Sequence, residues 1–358
     1  MRPYLRAALT AGAVLAAVAV GVAVRTLNVY GVFTDVTPAF AGQCTAIRGV
    51  VGPEDIAIDE KTRLAFVSAL DRYAMAKGKP SPQDGIYVLP LDGPAHLTKL
   101  AGAPADFHPH GISLLRDAGG LVLQVISHHT DGTSGIEIFD VSAPSGGPVR
   151  LIHIGDVESR ELSSPNAIAA VDRERFYVVN DHGSTTAFGR WLEDLLVLPR
   201  ANLLYFDGMV FRVVAQHLAY PAGLALSPDG RYLYATEINA RRIDTFARQP
   251  VSGSLDQAGT LDIPSGVDNL RFDAKGQLWV GSHPKNIAMN AFRSDPSRPA
   301  PSEIFKVTLA NDIPQSAQVV YSDMGTQIGG SSVAAVSGTR MLIGSPLDNH
   351  VLDCVMGR

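Results

Sequence analysis

The strongest constraint on this 358-residue chain is internal repetition. Six times, a short stretch of alternating apolar residues leads through a turn into an aromatic or aliphatic strand. The copies are E-D-I-A-I-D…L-A-F-V-S from 54, H-G-I-S-L-L…L-V-L-Q-V from 110 and N-A-I-A-A-V-D…F-Y-V-V-N from 166. They continue with A-G-L-A-L-S-P-D-G-R-Y-L-Y-A-T from 222, D-N-L-R-F-D-A-K-G-Q-L-W-V-G-S from 268 and S-S-V-A-A-V-S-G-T-R-M-L-I-G-S from 331. Aligning the first apolar residue of each gives Ile56, Ile112, Ile168, Leu224, Leu270 and Val333, at intervals of 56, 56, 56, 46 and 63. All-β units of this period, each with a sheet face that only a neighbour can cover, must close into a ring. The expectation is an all-β, six-bladed β-propeller over residues 44–358, preceded by an N-terminal hydrophobic helix. A content of 34 Gly and 23 Pro with only 18% charged residues suits many short turns.

Residues 8–24 carry no charge, with Arg2 and Arg6 ahead of them and Arg25 behind. That run lies between a signal-peptide core and a full membrane span in length. Residues 1–25 are therefore expected to be a signal anchor or signal peptide, and 26–43 a linker. The propeller is expected outside the cytoplasm, membrane-anchored or secreted. The chain has two cysteines, Cys44 and Cys354, one at each end of the repeat region, without the C-x-x-C spacing of a redox or zinc site. A disulfide between them would clasp the ring, and its loop-closure entropy is worth up to about 5 kcal/mol. A net charge of −5, with three arginines already in the first 25 residues, gives the body no footprint for nucleic acid.

One segment breaks the β pattern. Residues 187–199 place Phe188, Trp191, Leu192, Leu195 and Leu196 at helical spacing opposite Arg190, Glu193 and Asp194. This predicts an amphipathic helix, either packed over the ring or lying at its mouth as a lid or membrane contact.

In a propeller, the loops leading into the innermost strands converge on a central channel. Two places before the aligned apolar residue stand Glu54, His110, Asn166, Ala222, Asp268 and Ser331; one place before stand Asp55, Gly111, Ala167, Gly223, Asn269 and Ser332. Carboxylates gathered there repel unless a cation relieves them. Oxygen donors without Cys select a hard cation, with Ca²⁺ favoured by mixed carboxylate and amide oxygens. Glu54, Asn166, Asp268 and Asn269 are the candidate ligands. His110 is a candidate base toward a water attacking an ester or lactone carbonyl, with His128, beside His129, holding its tautomer. His182 and His283 each follow a repeat's second strand and are candidate substrate contacts.

The stretches P-E-D-I, H-P-H-G-I-S, S-P-N-A-I-A-A-V, F-Y-V-V-N-D-H, L-S-P-D-G-R-Y-L-Y, V-D-N-L and D-A-K-G-Q-L-W-V-G-S-H-P agree in order and spacing with one family. From Cys44 to Cys354 the chain resembles the paraoxonase/arylesterase family of calcium-dependent lactonases. The resemblance implies a six-bladed propeller with two central calcium ions, bridged terminal cysteines and hydrolysis of lactones and aryl esters. It implies Glu54, Asn166, Asp268 and Asn269 as catalytic-calcium ligands, and His110 with His128 as the histidine dyad. Asp55 and the Ile112 carbonyl are implied at a buried structural calcium. Two departures stand out: Ala222 replaces a further Asn ligand of the catalytic calcium, and Ala167 replaces a second Asp at the structural one. The expectation is a weakened catalytic calcium and a weak or absent structural one, with no compensating residue visible in the sequence. The alternatives are a gluconolactonase-type sugar lactonase and a non-catalytic propeller that binds a ligand or partner.

Overall fold

The computed structural model describes residues 2–144 and 147–357. Six antiparallel sheets follow one another along the chain, and each repeat supplies the two inner strands of one blade. The innermost strands are Pro53–Asp59, Pro109–Asp117, Pro165–Ala170, Pro221–Leu226, Gly266–Phe272 and Val333–Ser337. Each packs against the next, and the sixth packs against the first, so the ring closes. Apolar clusters fill the spaces between blades. Ile56, Val67 and Leu89 of blade one meet Val333, Ala335 and Leu342 of blade six, while Phe66 and Ile86 meet Leu123 and Phe139 of blade two. Fully burying side chains of this size contributes roughly 1.5–3 kcal/mol each.

The clasp is made by Gly42–Arg48, which forms the outer strand of blade six against His350–Met356. Cys44 faces Cys354 directly across this ladder, and the two are bonded. The expected linker 26–43 is partly structured, because Ala39–Phe40 adds an edge strand to blade five. In blade six, Ala334 packs toward blade five and Ala335 toward blade one, as Ile56 and Ala57 do toward the preceding and following blades. Ala334, not Val333, is therefore the equivalent of Ile56, and the sixth repeat shifts by one residue.

Among the described residues there are also four helices: α1 (Arg2–Val29), α2 (Arg72–Met75), α3 (Ala187–Leu196) and α4 (Asn286–Ser294). The helix α1 outruns the uncharged 8–24 run because its last turn is docked. Thr26 Oγ1 donates to the Leu195 carbonyl at 2.8 Å, and Arg25 Nη2 donates to the Val197 carbonyl. Just beyond it, the Tyr30 carbonyl accepts from the Ile287 amide of α4. Its Leu9–Val29 portion is long and apolar enough to cross a membrane and is not buried by the propeller.

The helix α3 is shorter than the predicted 187–199. Thr186 caps its start, and Val197 ends it in the left-handed region at φ 52°. It sits with its polar face inward. Glu193 is buried and accepts from the Gly183 amide, and Arg190 reaches the Ser163 and Ser184 carbonyls. Phe188 and Trp191 are 67% and 54% exposed, so the helix does not cover the ring with its apolar stripe.

Candidate active site at the propeller hub

A backbone device aims the ring residues into the channel. The register of the inner pair is irregular between Pro53 and Asp55, Pro109 and Ile112, Pro165 and Ala167, Pro221 and Gly223, and Val267 and Leu270. Such bulges sit where a strand must re-aim a side chain. The residues they hold are Glu54, His110, Asn166, Ala222, Asp268 and Asn269. Pro53, Pro109, Pro165 and Pro221 recur every 56 residues, a sequence signature of the bulge. Small residues let the strands approach: a Cβ on Gly111 would lie 2.3 Å from the Asn166 carbonyl oxygen.

Glu54, Asn166, Asp268 and Asn269 are all buried at this ring. His110 Nε2 is 3.0 Å from Glu54 Oε1, and Arg72 pairs with Glu54 Oε2. His283 Nε2 is 2.8 Å from Asp268 Oδ2. Asn166 Nδ2 donates to Asp181 at 3.4 Å. Asn166 Oδ1 and Asn269 Oδ1 are buried without a hydrogen-bond partner among the described residues. Partnerless buried oxygens next to two carboxylates are what a hard cation would satisfy. Among the described residues no group of three His, Cys, Asp or Glu side chains could hold a metal ion on its own.

The dyad is assembled. His110 Nδ1 lies 2.8 Å from His128 Nε2, and His128 Nδ1 lies 3.0 Å from Ser134 Oγ. Burial first, then the Arg72 charge, holds His110 down at about 3. Burial, with His110 and Arg72 adding, holds His128 at about 3. Both rings are neutral at pH 7. His129 bonds instead to Thr133.

The other two histidines differ in use. His283 lines the mouth of the channel with Tyr220, Asn286 and Arg293, and its Nδ1 and Asn286 Nδ2 are buried without a hydrogen-bond partner among the described residues. His182 is held between Asp181 at 2.7 Å and Asp194 of α3 at 3.2 Å. Burial lowers its basicity, but the two carboxylates outweigh it and raise it to about 9. His182 therefore clamps α3 to the hub as a cation.

Asp55 and Ile112 also meet, one level deeper. Ile112 donates its amide to Asp55 at 2.9 Å, and Arg271 fills the space beside them. Arg271 Nη2 donates to both Asp55 oxygens, at 2.6 and 2.5 Å, and to the Ile112 carbonyl at 2.9 Å. Its Nε and Nη1 reach the Ile56 and Leu270 carbonyls at 3.0 Å each. Burial pushes the Asp55 carboxyl up, with Arg271 pulling the other way.

Arg271, Arg72 and Asp181 had not emerged from the sequence. Arg271 carried a signal: the residue after the aligned apolar one is Ala57, Ser113, Ala169 and Ala225 in the first four repeats, and Arg271 in the fifth. Arg72 lies after a second strand with no equivalent in other repeats, and Asp181 is next to the His182 that drew attention.

The arylesterase family profile matches residues 44–355. The serum paraoxonase/arylesterase 1 of Rattus norvegicus is 32% identical over 322 residues, covering 87% of this chain and 89% of that protein. Serum paraoxonase/arylesterase 2 of Homo sapiens is 30% identical over 318 residues, covering 87% and 88%. Among solved structures, a calcium-binding regucalcin of Agrobacterium tumefaciens superposes with a TM-score of 0.51 over 89% of this chain and 96% of that one, at 13% identity, a likeness of fold. With the repeat motifs, the closed ring and the clasped termini in place, the chain belongs to the arylesterase family.

Proposed function

We propose that the protein is a calcium-dependent hydrolase of lactones and aryl esters. The observation that carries this reading is the His110–His128 pair set against a ring that leaves Asn166 Oδ1 and Asn269 Oδ1 buried without partners among the described residues. Glu54, Asn166, Asp268 and Asn269 would hold the ion, which when bound supplies a Lewis-acidic charge that polarises the substrate carbonyl.

The chain's own residues account for the rest. A base must be neutral before it can accept a proton, and burial keeps both dyad rings so. His110 Nε2 accepts a proton from water only once it has left Glu54 and the ring is in its Nδ1–H tautomer. In that tautomer Nδ1–H donates to His128 Nε2 across the 2.8 Å contact, with His128 Nδ1 held by Ser134, and this hydrogen bond stabilises the imidazolium formed when Nε2 takes the water's proton. His283 Nδ1 and Asn286 Nδ2 are placed to bind the substrate's polar atoms at the mouth. The apolar stripe of α3 beside the docked end of α1 suits a protein exported and held at a membrane, receiving lipophilic esters there.

The test is hydrolysis of phenyl acetate and of a long-chain lactone by the full chain, lost with EGTA and restored by Ca²⁺. Turnover of gluconolactone without aryl-ester turnover would instead favour a sugar lactonase. The Arg72–Glu54 pair favours a second reading, a binding protein whose ring carboxylate is already neutralised. Purified protein that binds no calcium and hydrolyses neither ester would decide for it.

A further inference from the structure

The level of the hub below the catalytic ring holds one acidic side chain, Asp55, 1% exposed, and a converging set of backbone carbonyls. A family pattern of two central ions would place the second here, but the residues present do not fit a metal. Arg271 Nη2 already takes both Asp55 oxygens and the Ile112 carbonyl, and Nε and Nη1 take the carbonyls of Ile56 and Leu270. These acceptors come from blades one, two and five, so the guanidinium ties across the ring as a central ion would. One carboxylate and one guanidinium balance. A divalent ion added at the same spot would meet a cation at contact distance and find its oxygens taken.

The sequence has made room for this arrangement. A cavity of about 220 Å³ lies under the guanidinium, lined at equivalent positions by Ala57, Ser113, Ala169, Ala225 and Ala335, with Arg271 as the sixth. Five small side chains leave the channel wide enough for a single long one to cross it. Arginine suits the place because its planar fork stays charged and donates in several directions at once. Ala167 belongs to the same change: with a guanidinium as the cation, a second carboxylate would leave the hub with an unbalanced negative charge.

We propose that Arg271 is a covalently attached replacement for the second central metal ion, so that this chain takes up no calcium at the Asp55 level and its fold does not depend on calcium there. The inference stands apart from the hydrolase reading, because ion stoichiometry and thermal melting do not depend on turnover.

The experiment counts Ca²⁺ per chain by native mass spectrometry and follows melting with Ca²⁺ and with EGTA. It uses the full chain and its Asp55→Asn, Arg271→Ala, Arg271→Lys and Arg271→Ala/Ala167→Asp variants. In the wild type no ion should be lost on changing Asp55 to Asn. Arg271→Ala should lower the melting temperature by roughly 5–10 °C, and Arg271→Lys by less, since it keeps the charge but loses the fork. Arg271→Ala/Ala167→Asp should take up one ion more than the wild type, and Ca²⁺ should return most of the lost melting temperature. If Arg271→Ala does not fold, Ca²⁺-dependent folding of the double variant gives the same answer. Wild-type protein binding two ions, one of them lost in Asp55→Asn, would overturn the proposal. So would a double variant with no more ions than the wild type.

Discussion

Glu54 and Asp55 are neighbours in one bulged strand, and each pairs with an arginine, yet they serve two levels of the hub whose remaining oxygens are satisfied to different degrees. At the outer level, Glu54 and Asp268 stand with Asn166 and Asn269, whose amide oxygens have no partner among the described residues. At the inner level, Asp55 and three carbonyls are all engaged by Arg271. The outer level pairs Glu54 with Arg72 yet keeps amide oxygens to spare, whereas the inner level is a completed ion pair. Unsatisfied buried oxygens cost stability unless something binds them, whereas a buried pair is costly mainly when one half is removed. The two levels should therefore fail differently: damage to the outer one should appear in turnover, and damage to the inner one in folding.

The largest expected effect tests that division. Asp268→Asn keeps the shape of the ring but removes one of its two full charges. It should lower kcat/KM for phenyl acetate by about 10³-fold, or about 4 kcal/mol at the transition state. Its melting temperature should move far less than that of Arg271→Ala. A steady-state assay beside a thermal melt settles the point, and the comparison breaks if the two variants lose activity and stability in equal measure.

The next effect separates the levels by pH. The inner level is built from Asp55, Arg271 and backbone carbonyls and uses no histidine, so it should be indifferent to mild alkali. The outer level is roofed by α3, and His182 holds that roof through Asp181 and Asp194. Its folded-state value of about 9 lies above the ordinary 6.5. The protonated ring therefore stabilises the native state in full below about 6.5, and this contribution fades as pH rises through about 9, a change of about 3 kcal/mol. Protection factors, with the intrinsic base-catalysed rate divided out, should fall for residues 187–196 between pH 7 and pH 10, while those of the Gly266–Phe272 strand hold. His182→Gln should abolish that fall in protection. Equal loss of protection in both segments would show that the roof and the hub open together.

The same contrast explains what was legible in the sequence. The propeller could be read from a period of 56, because closing a ring forces each blade to repeat its buried face. The outer ring could be read from polar residues in register where packing asks for none. The inner ion pair was harder, although Arg271 stands in a column of Ala and Ser, because a long side chain's reach across the channel appears only in three dimensions. The helix α3 was found with its stripe, but periodicity does not say which face points inward. Inward-facing Glu193 and Asp194 find partners in the Gly183 amide and His182 that lie close only in the folded chain. The helix α4 went unseen because Asn286, Met289 and Phe292 make too short a pattern; its burial depends on Leu347 from a distant loop and Tyr73 of α2.

The smallest effect probes how open the outer level is. Ala222 is fully buried at a bulge equivalent to those that present Glu54 and Asn166. It contributes no oxygen to the ring. Ala222→Asn adds one donor without adding charge, so repulsion between ligands does not rise. One more oxygen should tighten Ca²⁺ by about tenfold, or about 1.4 kcal/mol, as read by calorimetry on the full chain. Because the position packs tightly, the added amide also costs some melting temperature in the absence of Ca²⁺, and Ca²⁺ should restore it. An Arg271→Ala background, which removes the inner cation, should leave that gain in affinity unchanged if the two levels are electrostatically independent. A gain that disappears in that background would mean that the inner cation sets the field felt by the outer ring, and the hub would then be one site rather than two.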